Sequence, residues 1–209
     1  MSRARRVAAA ASVVLAVVVA ACQSEAPSGS AGPGTPASGS TDAGATLGPP
    51  PSPTLDTEAP IEIDATLLDY LPESVGDVAI EENLDEAAVA VSDPTLSRVA
   101  TGVDVGFGLD VSSGDLVTAH VVRLREGAFD EAAFRDWRDT FDAGACAAAG
   151  GVKGRAETTI DDRNVFITTC ITGLRTYHVL IPDQDLLVSA ASIGDGNFGE
   201  LLVNGLRVQ

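Results

Sequence analysis

Four strand-like runs crowd the last third of the chain: Arg155 to Ile160, Asn164 to Ile171, Leu174 to Ile181 and Leu186 to Ile193. They are separated only by Asp161-Asp162-Arg163, Thr172-Gly173 and Pro182-Asp183-Gln184-Asp185, all residues that set turns. Connections this short force antiparallel neighbours, because a parallel return needs a crossover of about a dozen residues or more. The segment therefore reads as an antiparallel meander. Upstream, Val103, Val105, Phe107, Leu109 and Val111 alternate with Asp104, Gly106, Gly108 and Asp110, the period-two pattern of a half-buried strand. After the turn Ser112-Ser113-Gly114-Asp115, Leu116 to Leu124 is its hairpin partner.

Helices fill the remaining space. From Asp130 onward, Phe134, Trp137, Phe141 and Ala145 fall on one stripe, while Glu131/Arg135, Arg135/Asp139 and Arg138/Asp142 read as i, i+4 charge pairs on the other side. Asp64 is placed to cap a short helix from Ala65 to Leu71, stopped by Pro72. Val78 to Ile80 reads as a short strand and Leu84 to Val91 as a helical turn or two. Asp93-Pro94 opens another helix, with Leu96, Val99 and Ala100 as its buried side. Phe198 to Leu206 closes the chain with Phe198, Leu201, Leu202 and Leu206 on one face. The expected fold class is α+β, an antiparallel sheet with packed helices, over a single domain from residue 60 to 209.

Two cysteines lie inside that domain. Cys146 and Cys170 are expected to form one bridge, closing a loop of about 25 residues that is worth on the order of 3 kcal/mol. A regular helix would carry Cys146 about 120° round from Phe134, so a bridge asks the helix to bend near Gly144 or to present Cys146 at the sheet edge. If Thr172-Gly173 is a two-residue turn, Ile171 faces Leu174, Cys170 faces Arg175 and Ile167 faces His178. Cys170 then shares a face with Phe166, Thr168, Tyr177 and Val179, and that face is expected to carry the Phe134 helix.

The start of the chain has a different character. Arg3, Arg5 and Arg6 precede an apolar run from Val7 to about Val19, shorter than the roughly 20 residues of a membrane span. Val19-Ala20-Ala21-Cys22 follows, and then Gln23 to Ala59, mostly Ser, Gly, Ala, Thr and Pro, a composition that cannot bury enough apolar surface to order itself. Val19-Ala20-Ala21-Cys22 resembles a bacterial lipobox. The resemblance implies a signal peptide over residues 1–21, a diacylglyceryl on Cys22 and anchorage on the extracytoplasmic side of a cell membrane, with residues 22–59 as linker. Two acyl chains suffice for stable anchoring. The folded part is similar to exported lipoprotein domains of high-GC bacteria and to sensor-type α+β domains, a likeness of topology that carries over no functional residue.

Charge excludes some partners. The chain holds 13 basic residues against 30 acidic ones. Removing residues 1–21 takes three arginines and no acid, so the rest is more acidic still. Nucleic acid binding needs a basic footprint, and none is present. No Gly-x-Ser-x-Gly, phosphate loop, His-Glu-x-x-His or Cys-x-x-Cys occurs. His120 and His178 both fall mid-strand, where packing explains an imidazole. Asp161-Asp162, Asp183 with Asp185, and Asp195 with Asn197 and Glu200 lack calcium-loop spacing and sit where turns use Asp and Asn. No metal or cofactor is expected. Arg175, Tyr177 and His178 form the densest polar-aromatic group on a strand and the first place to look for a small ligand. The functional expectation is a membrane-anchored, non-catalytic binding, sensing or interaction module, its partners the bilayer and an envelope protein. The alternatives are a carrier of a lipid or other small apolar ligand, marked by an internal cavity of about 300 Å³ or more, and an envelope hydrolase, marked by His120 or His178 within reach of a Ser or carboxylate in a cleft.

Overall fold

A computed structural model describes residues 60–207. The expected signal segment 1–21, Cys22, the expected linker to residue 59 and residues 208–209 lie outside the described residues. Ten strands run in chain order: β1 (Glu62–Ile63), β2 (Ser74–Val75), β3 (Val78–Ala79), β4 (Glu81–Glu82), β5 (Ala100–Leu109), β6 (Leu116–Leu124), β7 (Val152–Ile160), β8 (Arg163–Cys170), β9 (Arg175–Ile181) and β10 (Leu186–Ile193). Four α-helices accompany them: α1 (Leu84–Val91), α2 (Leu96–Val99), α3 (Glu131–Ala147) and α4 (Phe198–Asn204). The order in the main, eight-stranded sheet is β1-β5-β6-β10-β9-β8-β7, with β4 also on β5. β2 and β3 form a separate pair.

The short turns do what their chemistry requires. β7 to β10 is an antiparallel meander, and its last strand docks against β6 of the first hairpin. One strand departs from the expected antiparallel sheet: β1 pairs parallel with β5, so the sheet is mixed. Such a pairing is open to β1 because the chain crosses between it and β5 through α1 and α2, a connection long enough for a parallel return. Asp64 caps a 3-10 turn over Ala65–Tyr70, Asn83 caps α1 and Asp130 caps α3, each side chain accepting a backbone N–H of the first turn.

Both faces of the sheet are covered. One buries Val117, Ala119, Val121, Tyr177, Val179, Leu186, Val188 and Ala190 under α4 and the 3-10 turn. The other buries Val103, Val122 and Leu187 with Phe134 of α3. β5 is consequently buried on both sides rather than half-buried. Its glycines admit close neighbours: a Cβ on Gly106 would lie 2.6 Å from Leu71 Cδ1. Asp104, expected to face water, is fully buried.

The β8–β9 register is one residue away from the expected one. Phe166 faces His178, Ile167 faces Tyr177 and Thr168 faces Thr176. Gly173 takes φ 93° and Cys170 N–H donates to Leu174 O, so Cys170 faces Leu174 across a three-residue loop, Ile171 to Gly173. A one-residue shift exchanges faces across the whole strand. Cys170 therefore shares its face with Phe166, Thr168, Thr176 and His178, while Tyr177 and Val179 lie opposite. That face does carry α3, as expected. The helix runs unbroken past Gly144, because its buried arc is broader than the aromatic stripe and extends from Phe134 through Asp142 to Ala145 and Cys146. The Cys146–Cys170 disulfide pins its C-terminal turn to the end of β8.

Candidate functional site

The shifted register assembles a row of polar side chains beneath the helices. Reading across one face, His120 of β6 lies opposite Ser189 of β10, and Ser189 opposite His178 of β9. A helix supplies an acid at each end. Glu86 of α1 approaches His120 at 3.7 Å, and Asp142 of α3 meets His178 Nε2 at 2.9 Å. On its other side, His178 Nδ1 is 3.1 Å from the Ser189 hydroxyl. Thr168 and Thr176 hydroxyls donate to the two oxygens of Asp142. Burial pushes the Asp142 carboxyl up, but His178 and then the two threonines outweigh it and hold it below the ordinary carboxylate range. Nε2 of His178 faces the Asp142 carboxylate and Nδ1 faces the Ser189 hydroxyl, the direction of the second bond following the ring's tautomer.

This is an Asp–His–Ser alignment, with the spacing of a nucleophile and its base. The chemistry stops there. Asp142 and His178 are 0 % exposed and Ser189 is 5 % exposed. The edges of Trp137 and Phe141 close over the imidazole, each ring centre 5.2 Å from it. Ser189 sits mid-strand in β10, paired on both sides, so its backbone N–H belongs to a ladder and is not aimed at an oxyanion. The alignment can orient side chains and lock helix to sheet; it offers a substrate no approach.

The expected ligand group is divided by strand alternation. Tyr177 is buried on the opposite face from His178, against α4, where a Cβ on Gly199 would lie 2.2 Å from its ring. Arg175 donates to the side chain of Asn197 at 2.8 Å. Phe134, Trp137 and Phe166, which would have to leave room for an apolar ligand, pack on one another, with Phe134 and Phe166 ring centres 5.4 Å apart. Two hollows open to the surface, of about 520 and 350 Å³, have mixed linings, Tyr70 beside Asp69, Gln184 and Arg207 in the first, and Ile181 and Leu206 beside Asp161, Asp162, Arg163, Asp183 and Gln184 in the second. Asp161, Asp162, Asp185 and Asn197 all take positive φ, the left-handed conformation for which turns select Asp and Asn. Among the described residues no group of three or more His, Cys, Asp or Glu is arranged to hold a metal, and no helix is long and apolar enough to cross a membrane.

Sequence reasoning missed Asp142, Ser189, Thr168, Thr176 and Glu86. The i, i+4 pattern makes Asp142 an exposed partner of Arg138; in the structure Arg138 pairs with Asp139 at 2.9 Å and lies over the Phe166 ring. One signal was present: Thr176 and His178 are polar residues two apart on β9, and Ser189 interrupts the apolar run of β10. No family model, curated protein or solved structure matches the chain.

Proposed function

We propose that the chain is a lipid-anchored, extracytoplasmic, non-catalytic interaction module: a signal peptide over residues 1–21, lipid on Cys22, a Ser/Gly/Pro-rich tether to residue 59 and the α+β domain beyond it. The observation that carries the non-catalytic reading is the sealed imidazole, since the one Asp–His–Ser alignment described lies under Trp137 and Phe141. The compartment is supported by the cysteines. Cys146 and Cys170 are paired within the domain, which suits an oxidising environment and leaves Cys22, in Val19-Ala20-Ala21-Cys22, for lipid. The packed aromatic side chains favour interaction over carriage of an apolar ligand.

Two measurements test the reading. Metabolic labelling with an alkynyl fatty acid marks the wild-type chain, and Cys22→Ser loses the label and leaves the membrane fraction; label retained in Cys22→Ser would refute the anchor. A fluorophosphonate serine probe is expected to leave the folded protein unmarked. Labelling that Ser189→Ala abolishes would show an open nucleophile and return the hydrolase.

A further inference from the structure

The two edges of the sheet are unlike. Two-residue strands β1 and β4 shield β5 at one end. At the other, β7 runs nine residues, and among the described residues no strand pairs with its outer side. Residues 153–159 are exposed. An open edge presents unpaired N–H and C=O groups, and the turn says which they are. Ile160 faces Arg163 across Asp161 and Asp162, at φ 47° and 61°, the two-residue turn whose flanking residues exchange hydrogen bonds. Alternation then turns Thr158 and Ala156 inward to β8 and Thr159, Glu157 and Arg155 outward. The far side of β8 agrees: Cys170 N–H donates to Leu174 O, toward β9, so odd-numbered residues of β8 face β7.

We propose that β7 pairs antiparallel with β7 of a second copy about a two-fold axis at Ala156, joining two sheets into one. Charge favours this register, which within β7 sets opposite charges against each other and opposes no like pair. Centring on Arg155 sets arginine against itself, and centring on Glu157 sets glutamate against itself. Centring on Ala156 sets Arg155 opposite Glu157 of the second copy and, by symmetry, Glu157 opposite its Arg155, both as hydrogen-bonded pairs. Within its own chain Arg155 has a 4.0 Å contact with Asp139 on the surface, which the cross-copy pair competes with. The pairing names a partner for the interaction module. It rests on the anchor reading only in that confinement to a membrane raises the effective concentration of the copies.

Cross-linking of the full chain in membranes tests the register. At the axis, non-hydrogen-bonded residues have Cα atoms about 4.5 Å apart, within disulfide reach. Thr158 lies opposite Gly154 instead, away from its own copy. Ala156→Cys is expected to run as a dimer on non-reducing gels, and Thr158→Cys as a monomer. Adding Arg155→Glu or Glu157→Arg alone to Ala156→Cys removes the dimer band, and co-expressing the two charge variants restores it as a mixed dimer. These positions are exposed, so an unchanged melting temperature in each variant identifies a lost band as lost pairing. Equal cross-linking at residues 156 and 158, a band that survives Arg155→Glu, or wild-type charges giving monomer alone, as when the chain's own residues 22–59 occupy the edge, overturns the proposal. Repeating the Ala156→Cys assay on concentrated Cys22→Ser protein separates the two readings: cross-linking there supports the edge whether or not the anchor holds, and its loss there overturns the edge.

Discussion

Asp142 and Asp104 are both fully buried aspartates, and their surroundings drive them in opposite directions. Asp142 is held below the ordinary carboxylate value, so its contribution to stability is present above that value and disappears as pH falls through its folded pKa. Asp142→Asn is expected to cost about 3 kcal/mol at neutral pH in denaturant titrations, the scale for breaking a buried pair. The gap to wild type narrows in acid, where the wild-type carboxyl is itself neutral. A gap independent of pH would mean that the charge is irrelevant. Asp104 shows the reverse. Burial pushes it up, the Val105 N–H pulls it down, and the Glu82 and Asp64 carboxylates add to the upward push, leaving it above the ordinary value. Its contribution is complete below that ordinary value and is lost as pH rises through the folded pKa. Asp104→Asn keeps the bond from Val105 N–H, 2.7 Å long in the wild type, and gives Glu82 a donor. A higher melting temperature is expected at neutral pH, with the gain vanishing in acid.

At the scale of elements, two further contacts, beyond the Asp142 bonds, hold helices to the sheet. The Cys146–Cys170 bridge closes a sequence separation of 24 residues, and reduction is expected to lower stability by about 3 kcal/mol. Denaturant titration with and without reductant reads this directly. On the other face, α4 approaches Tyr177 through Gly199, where an added Cβ would also lie 2.7 Å from Ser192 Oγ. The ring is buried and cannot yield. Gly199→Ala is therefore expected to cost about 1–3 kcal/mol by overpacking; an unchanged melting temperature would show that α4 stands farther from the sheet. These elements were legible because strand alternation, Asp and Asn caps and turn residues are local signals. The buried arc of α3 was not. Phe134, Trp137 and Phe141 mark a stripe by hydrophobicity, whereas Asp142 is drawn inward by partners on β8 and β9 that no helix periodicity contains.

Across the whole molecule, β10 joins the first hairpin to the meander along its full length through β6, and both cores are built from side chains of both halves. Unfolding is expected as one cooperative step, with coincident transitions by Trp137 fluorescence and far-ultraviolet circular dichroism. Two separated transitions would make the hairpin and meander independent units. The sequence alone determined the α+β class, the meander, the hairpin and the pairing of Cys146 with Cys170, because each follows from local turn chemistry, short-range periodicity or cysteine arithmetic. The tertiary structure alone decided the faces. A loop of three residues in place of two shifted the β8–β9 register by one, and that shift placed His178, in the stead of Tyr177, under α3. Side-chain direction in a strand has period two, so a single residue of loop length, which the sequence leaves open, determines which polar groups meet.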